Sequence, residues 1–273
     1  MILPEAWIER WKGQDIFGKL FALEGKVYRA QEGRKTLRFL LDGKYYFAKL
    51  HKGVGWKQII NDLLQLRLPV IGAQNEWRAI QRLEKSGINT MELVGYGKKG
   101  WNPARFESFV ITEELKNTIS LEDYCRDWAV SPPSHALKSA LITEVAKIAR
   151  TIHEDGMNHR DLYICHFLLD ISVGSEKIDP HRLCLYLIDL HRMQIRSRIP
   201  WRWRVKDIAA LYFSSMDIGL SRRDLLRFMM AYRNKPLKES IGKNRLFWWQ
   251  VRRKGRVLYR KFHSKEIKGL TQK

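Results

Sequence analysis

The sequence predicts an α+β chain in two lobes, a small antiparallel β-sheet lobe followed by a larger, mainly α-helical one. Between Leu20 and Leu50 apolar and polar residues alternate, broken by glycines, which is the period of half-buried strands. From Gln74 onward the period lengthens to that of helices, most plainly at Leu137, Leu141, Val145, Ile148 and Ile152. The chain has 273 residues, 45% of them hydrophobic, with 10 Trp, 10 Tyr and 11 Phe, enough for a full core. Patterning divides it into a helical extension over 1–19, a first lobe over 20–112, and a second over 113–273 that ends in a basic helical region. A hinge is expected at residues 113–115.

Each element has its own signal. Trp7, Ile8 and Trp11 share one face of a short N-terminal helix and are expected to dock on the core. Residues 27–29, 36–41 and 45–49 read as a three-strand meander, with turns at 31–34 and at Asp42-Gly43, the second a strong hairpin signal. A short helix over 59–66 is ended by Pro69. An amphipathic helix over 74–85 stops at Ser86-Gly87. Residues 106–112 form a strand, Ser120 caps a short helix, and 131–134 is a proline loop. The long helix through Val145 ends at Asp155-Gly156. Short strands at 167–173 and 183–188 follow, then helices to about Arg233.

Charge narrows the partners. Fifty Lys and Arg against 29 Asp and Glu leave +21, and residues 222–273 carry 17 of the basic residues against three acids. Such an excess points to a polyanion: nucleic acid, an anionic membrane surface or a phosphorylated substrate. Cys125, Cys165 and Cys184 form no CxxC pair, which suits a reducing compartment rather than a disulfide framework or zinc site. No uncharged run approaches the roughly 18 residues of a membrane helix, and the first residues lack a signal-peptide pattern. A cytoplasmic protein that can touch a membrane is expected.

The chemistry gathers in Asn158-His-Arg-Asp-Leu-Tyr-Ile-Cys-His166, on the loop after the long helix. A carboxylate just past an Arg, before a hairpin, fits the catalytic loop of a protein-kinase-like fold. There the Asp orients the acceptor hydroxyl and the residue five further on faces a metal. Ile188-Asp189-Leu-His191 ends the next hairpin strand and puts Asp189 at the metal-binding position. Upstream, Phe47-Ala48-Lys49 ends the third strand with an ammonium for nucleotide phosphates, and Glu76 on the next amphipathic helix can pair with it. Four weak pieces in the right order, each on the right kind of element, make a strong signal. A non-catalytic nucleic-acid-binding protein would explain the charge and aromatics, but not why the acidic pair stands in this order.

The runs Asp161-Leu-Tyr-Ile-Cys-His-Phe-Leu-Leu169 and Ile188-Asp-Leu-His-Arg192 closely resemble the lipopolysaccharide core heptose(I) kinase family, the RfaP/WaaP family. So do Gly25-Lys-Val-Tyr-Arg29, His51-Lys-Gly-Val-Gly-Trp56, Leu68-Pro-Val-Ile-Gly-Ala73, Thr112-Glu-Glu-Leu115 and Lys206-Asp-Ile-Ala-Ala-Leu-Tyr-Phe213. The resemblance implies a bilobal protein-kinase-like fold that uses ATP and Mg²⁺ to phosphorylate heptose I of the lipopolysaccharide inner core. The acceptor atom it implies is the 4-hydroxyl, at the cytoplasmic face of the inner membrane.

The same resemblance implies Asp161 as catalytic base, Asp189 as Mg²⁺ ligand, Lys49 as phosphate anchor and Glu76 as its partner. Gly33 would lie in the phosphate-covering turn, and Glu113 to Leu115 would hold the adenine through their backbone. Asp207 resembles the buried acid that braces the catalytic loop. His166 stands where protein kinases have a metal-binding Asn and reads equally as a hydrogen-bonding residue or a second metal ligand. His159 reads as structural, and Cys165 as a small buried residue. No Ala-Pro-Glu element follows, which favours a saccharide acceptor over the alternative, a Tyr or Ser protein kinase. The resemblance also implies an anionic inner-membrane surface as a peripheral contact and admits an acyl carrier protein as a partner, with no nucleic acid. Phe247, Trp248 and Trp249 beside Arg252–Arg256 would suit that interface.

Overall fold

A computed structural model describes residues 1–31, 33–53, 55–64 and 72–270. Expectations that fall on Glu32, Val54 or residues 65–71, including the Pro69 stop and most of the run at 68–73, lie outside them. The described chain forms two compact units: Met1–Lys85 with Thr90–Leu115 and Asp189–Arg192, and Ser86–Asn89 with Lys116–Ile188 and Met193–Lys273.

The first unit opens with helices α1 (Glu5–Arg10) and α2 (Ile16–Phe21) and continues as strands β1 (Lys26–Gln31), β2 (Arg34–Leu41) and β3 (Lys44–His51). Helices α3 (Gly55–Leu64) and α4 (Gln74–Lys85) come next, then β4 (Leu93–Lys99) and β5 (Glu107–Glu113). The five strands make one antiparallel sheet in the order β1-β2-β3-β5-β4. The β2–β3 turn needs left-handed backbone at both Asp42 (φ 51°) and Gly43 (φ 75°), which an Asp-Gly pair adopts readily.

One strand shows how the sheet is built. Tyr46, Ala48 and Leu50 of β3 join a cluster with Trp7, Trp11, Phe17, Leu20, Leu37 and Phe109. The N-terminal helices are therefore part of this unit's core. Because side chains alternate along a strand, Phe47, Lys49 and His51 face the other side. Strand β4 escapes the sequence pattern because Gly95 and Gly97 interrupt it. A Cβ there would run into the side chains of Leu3 and Phe109, so these glycines mark close packing rather than a loop.

The second unit contains β6 (Thr118–Ser120), α5 (Leu121–Tyr124), α6 (His135–Glu154), β7 (Met157–Asn158), β8 (Phe167–Asp170), β9 (Leu185–Leu187) and β10 (Gln194–Ile195). It ends in α7 (Trp201–Ser214), α8 (Arg222–Arg233), α9 (Leu237–Gly242) and α10 (Arg245–Leu270). Ser120 and Ser134 accept the Asp123 and Leu137 backbone N–H groups and so cap α5 and α6. Ser221 and Asp224 form a reciprocal capping box on α8. Helix α6 buries Leu141, Val145, Ile148 and Ile152, the spacing that marks it in the sequence. Among the described residues no helix is long and apolar enough to cross a membrane.

Candidate active site

In the first unit the structure brings together Lys49, Glu76 and Asp189. Helix α4 buries Glu76, Ala79, Ile80 and Leu83, one stripe at helical spacing, so the Glu76 carboxylate lies on an apolar face with 3% of it exposed. A carboxylate so placed needs a partner, and Lys49 Nζ donates to its Oε1 at 2.7 Å. The ammonium also lies 3.6 Å from Asp189 Oδ1. Burial alone would lower the Lys49 pKa, but the charges of Glu76 and Asp189 outweigh it and hold the pKa above the ordinary lysine value. Lys49 is a fixed cation.

Asp189 sits in left-handed backbone (φ 60°), an unusual conformation for a residue other than glycine. His191 Nδ1–H donates to its Oδ1 at 2.6 Å. Two residues beyond Lys49, on the same face of β3, His51 is 7% exposed. Burial, with Arg34 and Lys49 nearby, pushes its pKa down to about 4, so it adds no positive charge beside Lys49 at neutral pH. Gly33 occupies the β1–β2 turn with φ 71°, and its carbonyl accepts the Lys52 N–H at 2.8 Å. The carboxylates of Glu113 and Glu114 are engaged on the sheet. Glu113 accepts from Lys44 at 3.0 Å, and Glu114 takes Arg38 in a two-pronged pair at 2.7 and 2.8 Å. Leu115 follows the end of β5, half-buried.

In the second unit the loop bearing Asp161 is held from below. Asp207 of α7 has no exposed surface. Its Oδ2 accepts the His159 N–H at 2.7 Å and its Oδ1 the Arg160 N–H at 2.9 Å. Arg160 has φ 75°, and this double grip offsets a strain of about 1–3 kcal/mol. The His153 ring continues the network, with Nε2 3.3 Å from Asp207 Oδ2 and Nδ1 2.8 Å from the Tyr232 hydroxyl. With Nε2–H donating to the carboxylate, Nδ1 accepts the Tyr232 proton. Burial raises the Tyr232 pKa, keeping that proton in place.

On the loop itself, the Asp161 carbonyl accepts the Tyr163 N–H at 3.0 Å and the His166 Nδ1–H at 2.7 Å. His159, fully buried, donates Nε2–H to the Ile188 carbonyl at 3.0 Å. Cys165 is half-buried rather than buried, because the turn of 3₁₀ helix at Ile164–His166 directs only Ile164 inward.

A cavity of about 660 Å³ that no sequence expectation covers lies in this unit, walled by Trp128, Val145, Leu211, Phe228 and Trp248. Arg245, Arg252, Arg253, Arg256 and Arg260 of α10 also line it. The spacing of 252, 253, 256 and 260 is the signal that would have found this basic stripe on one helix face. The expected interfacial aromatics are corrected here. Phe247 and Trp248 are 1% and 8% exposed, and only Trp249, at 55%, faces solvent. Tyr232 stacks on Phe247 with centroids 5.9 Å apart, and Trp248 Nε1–H donates to the Ser240 carbonyl at 2.8 Å, so both rings are tied into the helical core.

A strand-borne lysine paired to a helix-borne glutamate, an acid beside that lysine, and an acid-bearing loop braced by a buried carboxylate define a phosphotransferase of the kinase-like class. The profile of the "Lipopolysaccharide kinase (Kdo/WaaP) family" matches residues 19–232, and the chain belongs to that family. It is 52% identical over 240 residues to the lipopolysaccharide core heptose(I) kinase WaaP of Escherichia coli K12, 88% of this chain and 89% of that protein. It is 47% identical over 262 residues to the protein of the same name from Pseudomonas aeruginosa, 96% of this chain and 97% of that one. The solved structure of WaaP in complex with acyl carrier protein superposes with a TM-score of 0.82 at 44% identity. That likeness covers 94% of this chain and 98% of the solved one.

Proposed function

We propose that this protein transfers the γ-phosphoryl group of ATP to a hydroxyl of heptose I in the lipopolysaccharide inner core, the 4-hydroxyl being the acceptor atom the resemblance implies. The observation that carries the reading is near-full-length identity of about half to heptose(I) kinases, joined to the Lys49–Glu76–Asp189 grouping. Lys49 neutralises phosphate oxygens, and Glu76 keeps its ammonium at one position. Asp161 accepts a hydrogen bond from the acceptor hydroxyl and takes its proton as the bond to phosphorus forms. Glu113 to Leu115 hold the adenine through backbone groups, and Gly33 lets the β1–β2 turn approach the phosphates.

Magnesium is commonly held by one or two carboxylates together with phosphate oxygens and water. No cluster of three potential ligands exists among the described residues, and the single hard carboxylate of Asp189 fits that mode. Bound there, the ion would offset the negative charge of the triphosphate. His166 fits the role of holding the loop better than that of a second ligand. Its Nδ1–H donates to the Asp161 carbonyl and so ties the loop, and a ring nitrogen suits Mg²⁺ less well than oxygen does.

An acceptor panel tests the reading. With ATP and Mg²⁺, unphosphorylated lipopolysaccharide should gain phosphate, and generic Tyr or Ser protein substrates should not. Phosphate on the proteins alone would favour the protein-kinase alternative.

The arginine rim of α10 beside an apolar cavity suits an acidic helical protein carrying an acyl chain, and we take acyl carrier protein as the partner. The same basic surface would hold the enzyme at an anionic membrane, each Lys or Arg adding about 1 kcal/mol near the surface. Arg252→Glu with Arg253→Glu should abolish pull-down of acyl carrier protein and weaken salt-sensitive binding to anionic vesicles. Undiminished binding in both assays would remove α10 from the docking surface.

A further inference from the structure

Asp189 is followed at once by a single turn of 3₁₀ helix, Leu190–Arg192. Leu190 has no exposed surface, and the turn packs on α4, the helix that also carries Glu76. The backbone beside Asp189 is thus fixed within the first unit without the His191 side chain, which is 26% exposed. The ring instead reaches back two residues, and its Nδ1–H donates to Asp189 Oδ1 at 2.6 Å. The same oxygen lies 3.6 Å from the Lys49 ammonium. Two donors from different elements therefore compete for one carboxylate oxygen, and the histidine makes the shorter contact. Without it the ammonium is the stronger pull, and the carboxylate can change rotamer and close onto Lys49.

A metal ion makes that orientation matter. No group of three His, Cys, Asp or Glu that could hold one exists among the described residues, so Asp189 would meet Mg²⁺ as a lone carboxylate. Magnesium demands near-ideal octahedral geometry with oxygens at about 2.0–2.1 Å. Side chains that share an ion help to fix one another. A lone carboxylate has to be fixed from behind, which is the service that hydrogen-bond partners of ligating carboxylates perform.

We infer that His191 is the positioning residue for the metal: its Nδ1–H holds the Asp189 carboxylate in the orientation that meets Mg²⁺ on the nucleotide and keeps it from closing onto Lys49. It acts through Asp189 and not on the ion, since a ring nitrogen suits Mg²⁺ less well than oxygen does. The inference rests on the kinase reading above and adds to it the side chain that sets metal affinity.

The test is titration of Mn²⁺, a paramagnetic stand-in for Mg²⁺, into the full-length protein saturated with the β,γ-imido analogue of ATP, followed by electron paramagnetic resonance. His191→Ala should bind the ion about 10–100-fold more weakly than wild type, as loss of an outer partner does. His191→Phe keeps the ring without its donor and should bind as weakly. His191→Asn places an NH₂ where Nδ1 stands and should recover most of the loss. The unfolding midpoint should match wild type in all three, and phosphate transfer should need correspondingly more Mg²⁺. Wild-type Mn²⁺ affinity in His191→Ala would overturn the inference. So would recovery in His191→Phe equal to that in His191→Asn, because bulk and not the donor would then matter. Asp189→Asn separates this from the site itself. If that variant loses the ion while His191→Ala keeps it, Asp189 stands as the ligand and the positioning role falls. If Asp189→Asn keeps the ion, both fall. If the ion binds through both residues but no phosphate reaches the sugar, the positioning role stands and the heptose-kinase reading falls.

Discussion

Replacing Asp161 with Asn is expected to lower kcat by about 10²–10⁴-fold, the usual worth of a positioned general base. ATP affinity and the unfolding midpoint should stay at wild-type values. The Asp161 backbone carbonyl, which accepts from Tyr163 and His166, stays in place in this variant. The amide keeps the size of the side chain but cannot take the acceptor's proton. Single-turnover kinetics with saturating ATP, alongside nucleotide titration and thermal unfolding, separates these effects. Near-wild-type turnover would remove Asp161 from the proton-transfer role, and a lost unfolding transition would show that the side chain is structural instead.

Asp207→Ala is expected to be the most destabilising single change in the loop's support. It leaves the His159 and Arg160 N–H groups buried without their acceptor, at about 1–3 kcal/mol each. It also removes the carboxylate that faces His153 Nε2 and releases the left-handed Arg160. Urea unfolding should show a midpoint well below wild type with an unchanged slope. Asp207→Asn keeps one acceptor oxygen but turns an NH₂ toward a donor, so it should fall between the two while losing activity through a misplaced loop. A midpoint unchanged in both variants would mean that the loop is braced elsewhere.

Those residues also show what the sequence could reveal and what it could not. Glu76 was legible because it stands on the amphipathic helix that follows the strand ending in Lys49, in the order of a kinase-like chain; its burial on the stripe of Ala79, Ile80 and Leu83 came from the fold. Asp189 and Asp161 were legible from their order and loop context. The left-handed backbone at Arg160 and Asp189 was not, because neither residue type advertises that conformation as glycine does. Strand β4 was hidden by glycines that serve packing. The basic tail reads as an interfacial surface, since helical phase alone does not reveal that one arginine face of α10 borders a cavity and that Phe247 and Trp248 turn inward.

The γ-phosphoryl of ATP is expected to go to one heptose hydroxyl. Tandem mass spectrometry with ³¹P NMR of core oligosaccharide, released after incubating unphosphorylated lipopolysaccharide with ATP, Mg²⁺ and the protein, tests it most directly. The expected result is a single phosphomonoester on heptose I, formed mole for mole with ADP and absent with Asp161→Asn. ADP produced without a phosphorylated sugar, or phosphate recovered on another residue of the core, would contradict it.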